Sequence, residues 1–505
     1  MTGKMPVPQI FFNKLNTGVK TMPNNDFIQL SESEANKLEE IRENANPRIT
    51  QRQLAQKSKI GLENYQDIIG RGGRDENVNR IYHATDRHKL ENIAKGLNIH
   101  PTDFIDPDKW QRDEIKKLTR RFNSIIQEKN KRFVGRKFVF DDFQKFINER
   151  DRGYFTLVGD PGSGKSAVAA FYIQQIAKKD CVYYFNIYTT GQNKADQFLQ
   201  NVCQQLIKRY ELDYPNFPKD YDQDGVFFTN LLEQISEKLQ KSSENKRLII
   251  VIDALDEVNL SSQDEGSNVL YLPRYLPENV YFFLTRRREL DTRLLFEAPE
   301  LILDLKDYSM DSEQDIKEFI NLCFTDPEFE TGLNRFLANN SDLSKNQIIE
   351  ELAKISENNF MYLRYVIPQI ATGYYQGLNI ADLPKGLKDY YSDHWRKMGM
   401  TTKPLPTVKL NIIYLLCKSE ELPSRQLLAE YAKVPEITVQ EVINEWSEFL
   451  RSQVIEGETC YRFYHKSFAD FLLENETVQA AKIELPEIHR QKADTLWQAG
   501  YGEDE

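Results

Sequence analysis

The spacing of apolar positions changes several times along this chain. Residues 1–40 mix Pro, Gly, Asn and Ser with no clear period and read as an irregular arm. Over 41–108 the spacing is short and helical. Leu54, Ala55, Ile60, Tyr65 and Ile68 fall where two short helices pack across a tight turn. Residues 109–132, KWQRDEIKKLTRRFNSIIQEKNKR, are charged with spaced apolar positions, which predicts an exposed linker helix. The texture then shifts to continuous apolar runs: YFTLVG (154–159), CVYYFNI (181–187), RLIIVID (247–253), VYFFLT (280–285) and LILDL (301–305). Helical stretches separate them. Buried strands alternating with helices predict a parallel sheet covered on both faces. After 310 the strands stop and helical spacing continues to about 455. An extended pair, SQVIEG and CYRFYH, then leads into a last helical region.

A length of 505 residues is too great for one core, so several domains are expected. Boundaries follow the changes in texture: a small helical domain at 41–108, the sheet core at 133–308, a helical domain at 309–400, a mixed domain at 401–478 and a helical tail at 479–505. Hydrophobic residues make up 40% and charged residues 28%, the balance of a soluble globular protein. Without a run of about 18 apolar residues, no membrane partner is expected. The first residues, MTGKMPVPQIFFNKLNTG, lack the compact apolar stretch of a signal peptide. Five scattered cysteines with no CxxC pair point to reduced thiols and a cytoplasmic location. The net charge of −11 excludes a protein that coats nucleic acid with its whole surface, though a local basic patch remains open.

The candidate chemistry starts where YFTLVG runs into GDPGSGKSAVAAFYI. Gly159, Gly164, Lys165 and Ser166 fit GxxxxGK[ST], between a predicted strand and a predicted helix. Such a loop binds phosphate because glycines let backbone N–H groups curl around the oxygens and the helix N-terminus adds its dipole. Asp160, Pro161, Gly162, Ser163 and Ala167 complete the cradle. Lys165 reaches the outer phosphates, and the Ser166 hydroxyl binds Mg²⁺. RLIIVIDALDEV supplies the second signal. Asp253 at a strand tip can hold the Mg²⁺ shell, Asp256 follows, and Glu257 can polarise a water for attack on the γ-phosphate. In VYFFLTRRREL a third buried strand ends at Thr285 and is followed by Arg286, Arg287 and Arg288. Cations at that edge of a parallel sheet face the ligand crevice, and one can sense the γ-phosphate.

These motifs together resemble the NACHT-type STAND ATPases, signalling members of the P-loop NTPases. FVGR (133–136), GDPGSGKS, IDALDE (252–257) and LTRR (284–287) carry the likeness. NNFMYLRYV (358–366), LPKGLKDYYSDHW (383–395) and YRFYHKSFADFL (461–472) extend it, over roughly 133 to 475. The resemblance implies an α/β P-loop core, a helical lid at 309–400 and a winged helix at 401–478. It implies that Val134 and Arg136 line the adenine side through backbone contacts. Arg287 falls on the family's sensor arginine, but Arg286 stands where serine is usual, so both remain candidates. His465 matches a winged-helix histidine that touches the β-phosphate of bound ADP. Asn358 stands where glycine is commoner. The would-be recognition helix, VQEVINEWSEFL, carries Glu441, Glu445 and Glu448 and no Lys or Arg. Those charges repel DNA and favour internal docking.

At the front, ITQRQLAQKSKIGLENYQDII (49–69) and KLENIAKGLNIHPTDFI (89–105) look like the helix-turn-helix module of Xre/Cro-type repressors. Lys59 replaces the usual turn glycine, and about twenty residues interrupt the module. Asn64 and Gln66 could read bases, and Arg71 and Arg74 could hold phosphate, but Glu63 and Asp67 oppose it. DNA binding through 48–75 and protein docking both stay open.

The favoured reading is a slow ATPase switch, locked by ADP and assembling into a homo-oligomer when ATP replaces it. The resemblance suggests a role in bacterial immunity or signalling: antiviral defence, programmed cell death or stress signalling. The alternatives are a DNA-binding regulator whose oligomeric state is set by ATP, and a motor-like turnover ATPase. The resemblance also implies a sensor: a repeat array beyond residue 505, another molecule, or the lid itself. A lone histidine on a strand is ordinarily a packing residue. Together with a phosphate loop, His465 reads instead as a latch on the diphosphate.

Overall fold

A computed structural model describes residues 27–475 apart from 46, 59, 61, 71–84, 179–180, 189–190, 215–216, 219–220, 243–245, 265, 289–292, 376–378, 419–421 and 456–457. The chain divides into two units, residues 1–123 with 454–458, and residues 124–453 with 459–505.

In the first unit, β1 (Phe27–Ile28) pairs antiparallel with β2 (Thr85–Asp86), and helices α1 (Glu32–Asn44), α2 (Gln51–Lys57), α3 (Leu62–Ile68) and α4 (Arg87–Gly96) surround one core. Leu38, Leu54, Tyr65, Leu90 and Ile93 are fully buried in it. Capping boxes start two of the helices: Ser31 with Glu34 for α1, and Thr50 with Gln53 for α2. Each satisfies backbone donors that the first turn leaves open. The Tyr65 hydroxyl donates to Glu39 Oε1 at 2.6 Å, and Gln51 and Arg42 bond the same carboxylate. Helix α1 corrects the expectation of an irregular arm to residue 40. The segment ESEANKLEEIREN commits few side chains to the core, Ala35 and Leu38 among them, so its period is faint. Residues 1–26, and Arg71 and Arg74 of the expected DNA contact, lie outside the described residues.

Helix α5 (Pro107–Asn130) follows, and its residues from 124 onward belong to the second unit. It covers the expected linker but is not exposed throughout. Ile126 is buried, and Asn130 donates to Ala170 O and Gln174 Oε1 at 3.1 and 2.6 Å.

The second unit opens with α6 (Lys137–Glu149) and a parallel five-stranded sheet. Its strands are β3 (Gly153–Val158), β4 (Val182–Phe185), β5 (Leu248–Asp253), β6 (Val280–Arg286) and β7 (Glu300–Asp304), in the spatial order β4-β5-β6-β3-β7. The five predicted apolar runs are these five strands, but β7, at the sheet edge, is exposed from Glu300 to Ile302 rather than covered on both faces. The register pairs Val158 with Arg286 and Phe185 with Asp253, so the C-terminal tips lie side by side. Helices α7 (Lys165–Phe171), α8 (Ala195–Tyr210) and α9 (Val226–Lys241) lie between strands in the chain. Side chains alternate between the faces of a strand. On one face Phe155 and Phe283 meet Phe143 of α6 and Tyr172 just after α7. On the other, Phe282 meets Phe228 of α9, and Tyr184 meets Phe198 of α8. The result is three layers, helix, sheet and helix.

Beyond the sheet come α10 (Ser309–Cys323), α11 (Glu330–Asn339), α12 (Lys345–Ser356), α13 (Phe360–Thr372) and α14 (Gly386–Lys397). Then α15 (Thr407–Lys418), α16 (Arg425–Ala432) and α17 (Glu436–Glu445) precede a two-stranded sheet, β8 (Leu450–Ile455) with β9 (Glu458–Phe463), and α18 (Lys466–Glu474). One hydrophobic cluster runs from Ile316 to Leu472, so the core is continuous across the boundary expected at residue 400. Glu448, expected to repel DNA, is bonded from within by Tyr390 and by Gln369 Nε2 at 2.7 Å. Among the described residues, no helix is long and apolar enough to cross a membrane.

Candidate functional site: the loop at 159–164 and helix α18

The chain leaves β3 at Val158, turns through 159–164 and starts α7 at Lys165. Gly162 and Gly164 have φ of +82° and +96°, a region where a side chain is strained. A Cβ on Gly162 would also stand 2.4 Å from Asn359 Oδ1. The Lys165 ammonium donates to Gly159 O at 2.7 Å and Asp160 O at 3.0 Å, inside its own loop. Burial lowers its pKa, while Asp256 and Asp253 pull it back up. The Ser163 hydroxyl donates to Asp160 O, and the Ala167 N–H bonds Gly164 O in the first turn of the helix.

Two other elements brace this loop. The Asn359 amide donates to Pro161 O at 2.9 Å, and the Met361 N–H points at Gly162 O at 3.3 Å, so the start of α13 sits on the loop. Arg136 is buried with φ of 59°. Its guanidinium donates to Ser163 O at 2.8 Å and to Ser312 Oγ of α10 at 2.7 Å. Its backbone N–H, expected to face adenine, donates to Asp315 Oδ2 at 2.9 Å. Val134 lies half-buried in the segment before α6.

Asp253 ends β5 beside the loop. Its Oδ1 accepts from the Thr285 hydroxyl at 2.6 Å, and that hydroxyl in turn accepts the Ala254 N–H at 2.9 Å. Burial raises the Asp253 pKa, and the Thr285 and Ser166 hydroxyls lower it by bonding the carboxylate. A serine hydroxyl and one carboxylate at a strand tip are hard oxygen donors. They suit Mg²⁺, which keeps several waters and takes its other ligands from phosphate. Asp256 accepts the Arg287 N–H at 3.1 Å and pairs with Nε of the same residue at 2.8 Å. Glu257 accepts the Tyr188 N–H at 2.8 Å. Burial pushes its carboxyl up to about 7, with Lys466 opposing.

The three arginines diverge. Arg287 reaches Asp256 on one side and Asp470 of α18 on the other, at 2.5 Å. Arg288 ties Asp160 of the loop to Asp304 of β7. Arg286 donates to Arg287 O, and its Nε is buried without a hydrogen-bond partner among the described residues.

His465 is the N-cap of α18. Its Nδ1 accepts the Ser467 N–H at 3.2 Å and lies 2.6 Å from the Ser467 hydroxyl. An acceptor at Nδ1 puts the proton of a neutral imidazole on Nε2. Burial, then Lys129, Arg287, Lys165 and Arg364, hold its pKa well below the ordinary histidine value, so the ring is neutral. At the next residue, the Lys466 ammonium donates to Asp256 O at 2.8 Å.

The sequence reading missed Lys466 and Asp470, though their i,i+4 spacing puts both on one helix face. It gave Asn359 no role, although that residue lies in NNFMYLRYV, and it missed Ser312 and Asp315, which no local pattern marks as neighbours of the loop.

The family model of the nephrocystin 3 N-terminal region matches residues 137–287, from α6 to Arg287. No curated protein matches the chain. Among solved structures, one similar protein is a STAND ATPase with a tetratricopeptide repeat sensor from Pyrococcus horikoshii, at 14% identity and a TM-score of 0.35. That match covers 73% of this chain and 45% of the other, so the chain spans under half its length. A structure of Drosophila ORC bound to DNA is similar at 14% identity and a TM-score of 0.27, over 72% of this chain and 98% of that one. A Thermotoga maritima RuvB variant is similar at 13% identity and a TM-score of 0.23, over 68% and 96%.

Proposed function

We propose that the chain is an adenine-nucleotide switch of the STAND kind: closed with ADP, opened by exchange for ATP into a form that assembles, and reset by slow hydrolysis. The observation that carries the reading is the position of α18. Arg287, at the sheet edge where a γ-phosphate sensor belongs, is held between Asp256 and Asp470, and His465 lies in the same cluster of charges. A motor that turns over continuously has no use for a helix that ties up its sensor arginine.

In this reading residues 159–167 wrap the phosphates, and Lys165 exchanges its two loop carbonyls for phosphate oxygens. Asn359 and Met361 bond the carbonyls of Pro161 and Gly162 and so brace the loop from the start of α13. The Nε2–H of His465 donates to the β-phosphate and marks the diphosphate state. Ser166 and Asp253 would hold Mg²⁺, which neutralises phosphate charge when bound. Glu257 is the general base, and near neutral pH its carboxyl titrates where a base works best. Burial and the Tyr188 N–H fix its position. With a triphosphate bound, Arg287 leaves Asp470 for the new phosphate and α18 loses its anchor. The arginine doublet then has distinct roles, Arg287 as sensor and Arg286 as a packing residue.

The test is nucleotide binding by the full chain. Wild type should bind fluorescent ADP and ATP at one site, and Lys165→Ala should lose both. Equal binding by the variant would overturn the reading.

A further inference from the structure

The last turn of α5 ends in the nucleotide site, and one of its side chains has no part in the scheme above. Glu128 and Asn130 leave the helix in nearly opposite directions, because successive residues turn by about 100°. Glu128 Oε1 accepts Arg364 Nη2 of α13 at 2.5 Å and the Tyr464 hydroxyl at 3.1 Å, next to His465. Asn130 bonds Ala170 O and Gln174 Oε1, at the far end of the helix that Lys165 begins. Lys129 lies between these two directions. Its side chain therefore leaves toward the gap between α7 and His465. Both neighbours are tied down, so this direction is fixed.

Among the described residues the Lys129 ammonium has no hydrogen-bond or ion-pair partner. Its surroundings are the site itself. Burial lowers its pKa, Arg364 repels it, and Glu128, Asp253 and Glu257 draw it back toward the charged form. Among charged groups, it bears most strongly on His465. A partly buried cation without a partner is costly. An ammonium is a mobile point charge with three donors, suited to a phosphate oxyanion whose position shifts between states.

We propose that Lys129 is a phosphate ligand supplied by the helix upstream of the sheet core, holding the outer phosphates of the bound nucleotide from the side opposite Lys165. This rests on the nucleotide reading of the same site. Glu128 and Lys129 are adjacent, so the helix reads the phosphates with one residue and the lid and the strand leading to α18 with the next. Nucleotide state then bears directly on α5.

The experiment titrates ADP and AMP into the full chain as wild type, Lys129→Gln, Lys129→Arg and Lys165→Ala. Loss of one charge-assisted contact should weaken ADP about tenfold or more in Lys129→Gln. Lys129→Arg should restore most of it, and AMP, which lacks the outer phosphate, should bind wild type and Lys129→Gln alike. If Lys165→Ala loses ADP while Lys129→Gln keeps wild-type affinity, the Lys129 assignment is wrong and the nucleotide reading stands. If Lys129→Gln weakens ADP and AMP equally, Lys129 acts through the fold and the assignment is likewise wrong. If wild type binds neither nucleotide, or Lys165→Ala binds ADP normally, the underlying reading fails first.

Discussion

Replacing Asp470 by Asn should loosen the closed form without unfolding it. In wild type the Asp470 carboxylate holds Arg287 at 2.5 Å and so pins α18 to the sheet edge. A hydrogen bond to a charged group contributes about 1.5–3 kcal/mol. Two features place this one at the low end. Asp470 is 31% exposed, so water screens the pair. Arg287 also keeps Asp256 at 2.8 Å, so its charge is not stranded, and the roughly 3–5 kcal/mol penalty of a broken buried pair does not apply. The expected loss is about 1–2 kcal/mol, a factor of about 5–30 in the closed-to-open ratio. Release of fluorescent ADP into excess unlabelled ADP, followed by stopped flow, should speed up by that factor. A double-mutant cycle with Arg287→Gln isolates the pair. The double variant should release ADP no faster than the faster single variant. Unchanged release in Asp470→Asn, or strictly additive effects in the cycle, would refute the clasp.

Glu257→Gln should keep ATP bound yet slow single-turnover hydrolysis by at least about a hundredfold, the usual worth of a positioned base. Burial raises the Glu257 carboxyl to about 7, and the base acts deprotonated, so wild-type hydrolysis should rise with pH through that region and fall to roughly a tenth of its plateau at pH 6; a flat profile from pH 6 to 8 contradicts the assignment. His465→Leu should release ADP about ten- to a hundredfold faster by losing one donor to phosphate, and unchanged release would leave His465 only its role as the cap of α18. Gly332→Val should cost about 1–3 kcal/mol, because a Cβ there would lie 2.0 Å from Ala371 O where α11 packs on α13; thermal unfolding at an unchanged midpoint would mean that packing yields freely.

What the sequence disclosed follows from how local each signal is. The buried strands could be read because a strand covered on both faces must be continuously apolar, and RLIIVID or VYFFLT has few other uses. The strand, turn and helix at 153–171 could be read because their signal is compressed into eight residues, 159–166, between an apolar run and a helical one. Helix α1 was hidden because few of its residues serve the core. The end of α5 was hidden for a different reason. A run such as IIQEKNKR looks like a solvated face, and only the tertiary fold reveals that Glu128 meets Arg364 and Tyr464. Glu448 is similar. Its charge suggested repulsion of DNA, whereas burial pushes its carboxyl up to about 7 among Tyr390 and Gln369. The arginine triplet gave position without direction. Which side chain turns toward Asp256 depends on the local twist after β6, and no spacing rule encodes that.

The central claim is that nucleotide state decides whether α18 stays on the sheet edge. Amide hydrogen exchange across 464–474, in the full chain with saturating ADP and then with a non-hydrolysable ATP analogue, tests this directly. These amides should be protected with ADP and exchange at least about tenfold faster with the analogue, matching a loss of roughly 1.4 kcal/mol or more of closing free energy. Equal protection with both nucleotides, at occupancies shown to be full, would contradict the account.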